Sequence, residues 1–203
     1  MSDLQRTEEW FKDRLGRPTA SNYSKLVTST GKPSTSADAY INELIAQRLT
    51  GELPEQITSV HIERGIELES KAISWFEFET DLEVIESGFI KHPTLETGCS
   101  PDGLIDLDGG SGIEIKCPAA HTHVGYLRSG KLPAKYVQQV QGSMWVTGRK
   151  HWFFLSYHPE MPKLLIRVDR DEEIIKSIEE AVTKACEKIE SEYKSIKETY
   201  KND

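Results

Sequence analysis

Three side chains near the middle of the chain have the types and spacing for metal-assisted hydrolysis of a phosphate ester. Asp102 lies in Cys99-Ser100-Pro101-Asp102-Gly103-Leu104, and Glu114 and Lys116 lie in Gly112-Ile113-Glu114-Ile115-Lys116-Cys117-Pro118. Side chains alternate along a strand, so Glu114 and Lys116 share one face while Ile113 and Ile115 turn to the core. Asp102, at the end of the preceding strand, can meet that face across a hairpin. Hard oxygen donors of this kind suit Mg²⁺ or Mn²⁺ and not zinc. A divalent ion between Asp102, Glu114 and the main-chain carbonyl of Ile115 would neutralise a phosphate and acidify a bound water. Lys116 would orient or deprotonate that water, its own pKa lowered by the metal charge. Glu-x-Lys is also an ordinary solvent-face ion pair. The apolar flanks, and Gly103 and Gly112 with their allowance for close backbone approach, weigh toward the site.

The elements that must position these groups read helix, sheet, helix. Thr7-Glu8-Glu9 starts a helix carrying Trp10, Phe11 and Leu15, and a second begins near Ala20 with Tyr23, Leu26 and Val27,. Val27–Ser36 reads as an exposed loop, with Lys32 placed to touch phosphate. Ser36 caps a helix with Tyr40, Ile41, Leu44, Ile45 and Leu49, closed by Gly51 and Pro54. Another runs from Val60 to Phe78 with Ile62, Ile66, Ala72, Ile73, Trp75 and Phe76,. Strands are expected around Val84–Ile90, over Gly98–Asp106 and over Gly112–Cys117, the last two joined through Gly109-Gly110. Ala134–Val146 returns to helix, His151–Tyr157 and Leu164–Val168 are strands, and Ile174 to Tyr200 is one long helix. The fold class is α+β, a single domain over 1–203 with its core at about 10–170 and the terminal helix at about 171–200. Cys99, Cys117, Trp145 and Trp152 are expected to fill core space.

Composition narrows the function classes. The 203 residues are long enough for a full core without staples,. No apolar run reaches the length of a membrane span, the start lacks the apolar stretch of a signal peptide, and no membrane partner is expected. The cysteines show no CxxC spacing, which points to a reducing compartment, the cytoplasm. A net charge of -8 argues at first against nucleic acid,. Its distribution does not. Residues 112–168 hold only Glu114 and Glu160 against eight Lys and Arg, a block of +6, while 1–111 carry -10 and 169–203 carry -4. His121, His123, His151 and His158 fall in the same basic block, which keeps a nucleic-acid partner in play.

The pattern Pro101-Asp102 … Glu114-x-Lys116 resembles the PD-(D/E)xK nuclease signature. The wider strings resemble the phage lambda exonuclease family, the YqaJ-like viral recombinases. They are Arg14–Ser21 (RLGRPTAS), Gly65–Glu69, Cys99–Leu104 (CSPDGL), Ile113–Pro118 (IEIKCP) and Gln139–Thr147 (QVQGSMWVT), in order over about residues 10 to 170. The resemblance implies a restriction-endonuclease-like core, a central mixed sheet flanked by helices. It implies a Mg²⁺-dependent 5′→3′ exonuclease on linear double-stranded DNA, with Mn²⁺ able to substitute and two ions per site. Mononucleotides would be released and a 3′ single strand left for recombination by annealing. The implied partners are duplex ends, a homotrimeric ring of this chain and a phage-type single-strand annealing protein.

By the same resemblance Asp102 and Glu114 are metal ligands, Lys116 is the water-activating group, Glu69 is an additional acid near the second metal, and Gln139 positions active-site groups. Arg14, Ser21 and Ser100 form a pocket for the terminal 5′-phosphate, a task suited to the planar fork of arginine. On the residues alone, Glu69 reads equally as one acid of a solvated run with Glu63 and Glu67. Arg14 reads as a surface ion pair, Ser21 as a helix cap, Ser100 as a satisfier of strand-end groups, and Gln139 as an exposed glutamine. A DNA endonuclease or junction resolvase on the same core, and a non-catalytic DNA-binding recombination adaptor, are the competing functions.

Overall fold

The computed structural model describes residues 4, 5, 7–52, 60–107 and 109–200, and of 60–66 the backbone only. Helix α1 (Glu8–Arg14) begins where a cap is expected, with Thr7 Oγ1 accepting from the Trp10 N–H at 3.1 Å,. The segment expected as a second helix is a six-residue 3-10 turn (Ala20–Lys25) that buries Ala20 and Tyr23. The following loop is pinned, with the Thr28 N–H donating to the Lys32 carbonyl at 2.8 Å, and Lys32 itself is exposed. Helix α2 (Ala37–Thr50) stops at Gly51, φ 72°, and α3 (Val60–Thr80) follows. Pro54 and the side chains of Ile62 and Ile66 lie outside the described residues.

The strands beyond α3 are shorter than expected. In place of a strand over Val84–Ile90 there is a bridge between Ile85 and Leu104, then β1 (Ile90–Lys91) paired antiparallel with β2 (Gly98–Cys99). The expected strand over Gly98–Asp106 is cut in two, because Pro101 has no N–H to give to a ladder. Asp102 therefore does not end a strand. It immediately precedes β3 (Gly103–Ile105). Gly109 and Gly110, φ 81° and 75°, turn the chain into β4 (Ser111–Lys116) through backbone that suits glycine,.

Helix α4 (Ala120–Ser129) was not expected. It buries only His123 and so has no apolar period to read. A 3-10 turn (Ala134–Tyr136) leads into α5 (Val137–Thr147), so the helix expected from Ala134 is regular only from Val137. Strands β5 (His151–Ser156) and β6 (Leu164–Asp169) and helix α6 (Glu172–Thr199) complete the chain.

The four-stranded sheet has the order β3-β4-β5-β6, with β4 and β5 parallel and the other pairs antiparallel. Parallel neighbours need a long crossover, which α4 and α5 supply. One sheet face, with Ile105, Ile113, Ile115, Phe153 and Leu155, packs on Leu68, Ala72 and Phe76 of α3. On the other, Trp152 packs on Val140 and Met144 of α5. β4 is thus covered on both faces, as a central strand is. Helix α6 is capped by Asp171, which accepts from the Glu173 and Ile174 N–H groups at 3.1 Å each. Its Ile178, Val182, Ala185 and Ile189 join Tyr23, Ile41, Leu44 and Ile45 in a second core. That buried stripe ends at Ile189, and Tyr200 is exposed.

Candidate active site

β4 brings Glu114 and Lys116, two residues apart, to the sheet face covered by α5. Glu114 is 1% exposed. Its Oε1 is held twice: Gln139, in the first turn of α5, donates from Nε2 at 2.6 Å, and the Lys116 ammonium pairs with the same oxygen. Burial pushes the Glu114 carboxyl up, Lys116 draws it back, and Asp102 and Glu69 add to the rise,. At Lys116 burial opposes the charge, but Glu114 and Asp102 outweigh it and hold the ammonium above its ordinary pKa.

Asp102 is pinned to the same strand, its Oδ2 accepting from the Ile115 N–H at 2.5 Å. Glu69, on α3, is half-buried and close enough to raise the Glu114 pKa. Glu67 instead faces solvent and pairs with Lys71 at 3.4 Å. Among the described residues three carboxylates gather here with one ammonium, and the acids offer only oxygen donors. That composition fits a hard divalent cation. As the side chains stand, no three His, Cys, Asp or Glu among the described residues are grouped as ligands. Asp102 is engaged by the Ile115 amide, and Glu114 by Gln139 and Lys116.

Ser100, two residues before Asp102, connects this centre to α1. Its Oγ accepts from Arg14 Nη1 at 2.9 Å and from Trp10 Nε1 at 3.0 Å. The Arg14 guanidinium lies 4.3 Å from the Trp10 ring centre and 5.7 Å from that of Phe89,. Burial lowers its pKa somewhat, yet arginine stays charged. Arg14 also lines a cleft of about 220 Å³ with Arg17, Thr19, Asn22 and Tyr40. Ser21 is exposed and reaches this cleft only through Thr19, its Oγ sharing a hydrogen bond with Thr19 Oγ1 at 3.2 Å.

A model of the YqaJ-like viral recombinase domain matches residues 9–150. The chain belongs to the YqaJ-like viral recombinase family. It is similar to the crystal structure of an alkaline exonuclease (LHK-Exo) from Laribacter hongkongensis, with 38% identity, a TM-score of 0.86 and coverage of 95% of this chain and 97% of that one. It is similar also to LHK-Exo in complex with dAMP, at 37% identity and TM-score 0.85, with the same coverage. A phage-related exonuclease from Haemophilus somnus 129PT shares the fold at 17% identity and TM-score 0.70, over 89% of this chain and 96% of that one.

Within this family member the structure gathers Asp102, Glu114, Lys116 and Gln139 directly and sets Glu69 beside them. It joins Arg14 to Ser100 and leaves Ser21 one side chain away. Three neighbours escaped sequence reasoning. Trp10 was assigned to helix packing and also serves Ser100. Thr19 stands in the cleft wall between Arg14 and Ser21. Tyr136 places its ring 5.4 Å from Lys116 Nζ, and its position three residues before Gln139 on one helix start was the available signal. Cys99 is buried, its thiol pushed up to about 12 by burial, and Trp152 is core. Cys117 and Trp145 are partly buried against the cores.

Proposed function

We propose that this YqaJ-like protein is a Mg²⁺-dependent 5′→3′ exonuclease on linear double-stranded DNA that releases mononucleotides and leaves a 3′ single strand for annealing. The observation that carries this reading is the continuity from Arg14 through Ser100 to Asp102. It puts a guanidinium suited to a terminal phosphate two residues from the hydrolytic motif. An enzyme that cuts within a strand has no need of that anchor. The similarity to an alkaline exonuclease, and to its complex with dAMP, supports an end-directed nuclease with a mononucleotide product.

In this reading Asp102, Glu114 and the Ile115 carbonyl hold one Mg²⁺, and Glu69 serves a second, with Mn²⁺ able to replace either. A divalent ion held there would lower the pKa of a bound water and offset the charge that builds on the phosphate. Arg14 and Ser100 grip the terminal 5′-phosphate and set the strand in register. Lys116, on the same strand face as Glu114, orients or deprotonates the attacking water. Gln139 keeps Glu114 aimed at the centre. The reading includes a homotrimeric ring that retains the duplex between cuts and a phage-type annealing protein that takes the 3′ strand. Light scattering of the purified protein checks the ring.

The test is digestion of matched linear duplexes, 5′-phosphorylated and 5′-hydroxyl, beside a closed circle. Fast loss of the phosphorylated duplex as mononucleotides, slow loss of the hydroxyl form and an intact circle are expected. A nicked circle would replace the reading with an endonuclease, and an intact phosphorylated duplex in Mg²⁺ would leave only a binding role.

A further inference from the structure

Between Ile115 and Pro159 the sequence contains no Asp or Glu, yet it carries Lys116, Arg128, Lys131, Lys135, Arg149 and Lys150. Most of this stretch is the crossover from β4 to β5, whose α5 covers the sheet face with Glu114, while Arg149 lies at the hairpin end of β4. Within it Lys135 is exposed, and no carboxylate among the described residues forms an ion pair with it. Its ammonium instead lies over two phenol rings, 4.8 Å from the centre of Tyr136 and 5.7 Å from that of Tyr126. The Tyr126 hydroxyl is buried and makes no hydrogen bond of ordinary geometry with a described residue, although it is near enough to steady the Lys135 charge. The rings are braced in turn, Tyr136 on Phe154 with centres 5.3 Å apart and Tyr126 on Tyr136 at 6.3 Å.

Here the ammonium itself is held over two rings, with no acid among the described residues paired to it,. The Tyr136 ring also lies against Lys116 Nζ at 5.4 Å, so two ammonium groups flank one ring. One belongs to the hydrolytic centre and the other to the 3-10 turn that leads into α5.

We propose that Lys135, carried on Tyr126 and Tyr136, binds a backbone phosphate of the DNA strand being cut, next to the one under attack. The site takes any phosphodiester irrespective of base, because the contact is to charge alone. The assignment rests on the exonuclease reading above.

The experiment measures binding of a labelled 5′-phosphorylated linear duplex by anisotropy over a range of KCl, with Ca²⁺ in place of Mg²⁺ to hold back cleavage. Losing one phosphate contact flattens the dependence of log affinity on log salt by about 0.9. Lys135→Gln is expected to show that flattening and Lys135→Arg to restore the wild-type slope. Lys184→Gln, an exposed change on α6, is expected to keep it. A full wild-type slope in Lys135→Gln, with wild-type protein that degrades the duplex in Mg²⁺, overturns this assignment alone. Wild-type protein that neither binds nor degrades the duplex overturns the exonuclease reading with it.

Discussion

Replacing Gln139 with alanine removes one hydrogen bond, and the structure says which equilibrium must feel it. The amide donates at 2.6 Å to Oε1 of a carboxylate that is 1% exposed. A hydrogen bond to a charged group contributes about 1.5–3 kcal/mol, or roughly ten- to a hundredfold in any equilibrium that needs Glu114 ionised. Metal binding is that equilibrium, since a proton and a divalent cation compete for the same oxygens. The Mg²⁺ concentration for half-maximal cleavage should rise by that factor at neutral pH, and high Mg²⁺ at alkaline pH should recover most of the rate. The sign on stability is opposite to the usual acid. Burial raises the folded-state pKa of Glu114 above its unfolded value, so the native state binds the extra proton between the two. Metal-free protein should therefore lose stability as pH rises through that window, and Gln139→Ala should carry the loss to higher pH. Mg²⁺ titrations of cleavage at several pH values, with urea unfolding in EDTA, measure both effects. An unchanged Mg²⁺ midpoint, or a defect equally deep at all pH values, would refute the placing of Gln139 as the support of Glu114.

Three further changes separate chemistry from architecture. Asp102→Ala should abolish cleavage while duplex binding survives, and should cost about 1–3 kcal/mol in urea by stranding the Ile115 N–H. Asp102→Asn, which keeps an acceptor, should be as inactive but nearly as stable as wild type. Arg14→Lys keeps the charge but loses the fork that reaches Ser100 at 2.9 Å. The rate ratio between 5′-phosphorylated and 5′-hydroxyl duplex should fall roughly tenfold, as read by paired digestions. Gly112→Ala would set a methyl 2.3 Å from the Trp152 ring, which is fully buried. Such overpacking costs about 1–3 kcal/mol and should lower the urea midpoint with little change in slope.

What could be read in advance was chemistry whose signal is local. Glu114 and Lys116 are two residues apart on one strand, so alternation alone puts them together. Gly109 and Gly110 both take positive φ and close the hairpin they were expected to close. The α6 stripe repeats often enough to be plain, and it packs as far as Ile196, with only Tyr200 left exposed at its end. The features that local patterns left unread depend on distance along the chain, and only the family resemblance had put Arg14 with Ser100. Ser100 meets Trp10 and Arg14 across 90 and 86 residues, and no spacing rule links an α1 indole to a serine beside β3. Helix α4 was missed because a crossover lying over a site needs little apolar face, and His123 is its one buried residue.

The charge pattern was both useful and misleading. Three of the four histidines in the basic block, His123, His151 and His158, prove to be buried, so they add nothing to a surface for DNA. The absence of acids from that block matters more than its count of bases. A phosphate strand approaching Lys116 crosses a roof with no carboxylate in its sequence between Glu114 and Glu160. The acids it does meet are Asp102, Glu114 and Glu69, clustered at the one place where a divalent cation would cancel them. A net charge of -8 is then no obstacle to a nucleic-acid substrate. In the reading proposed above, the repulsion at Asp102, Glu114 and Glu69 is what a bound divalent cation would cancel. Binding of a duplex end should accordingly be weaker in EDTA than in Ca²⁺, and Asp102→Asn should narrow that difference by removing one of the repelling charges.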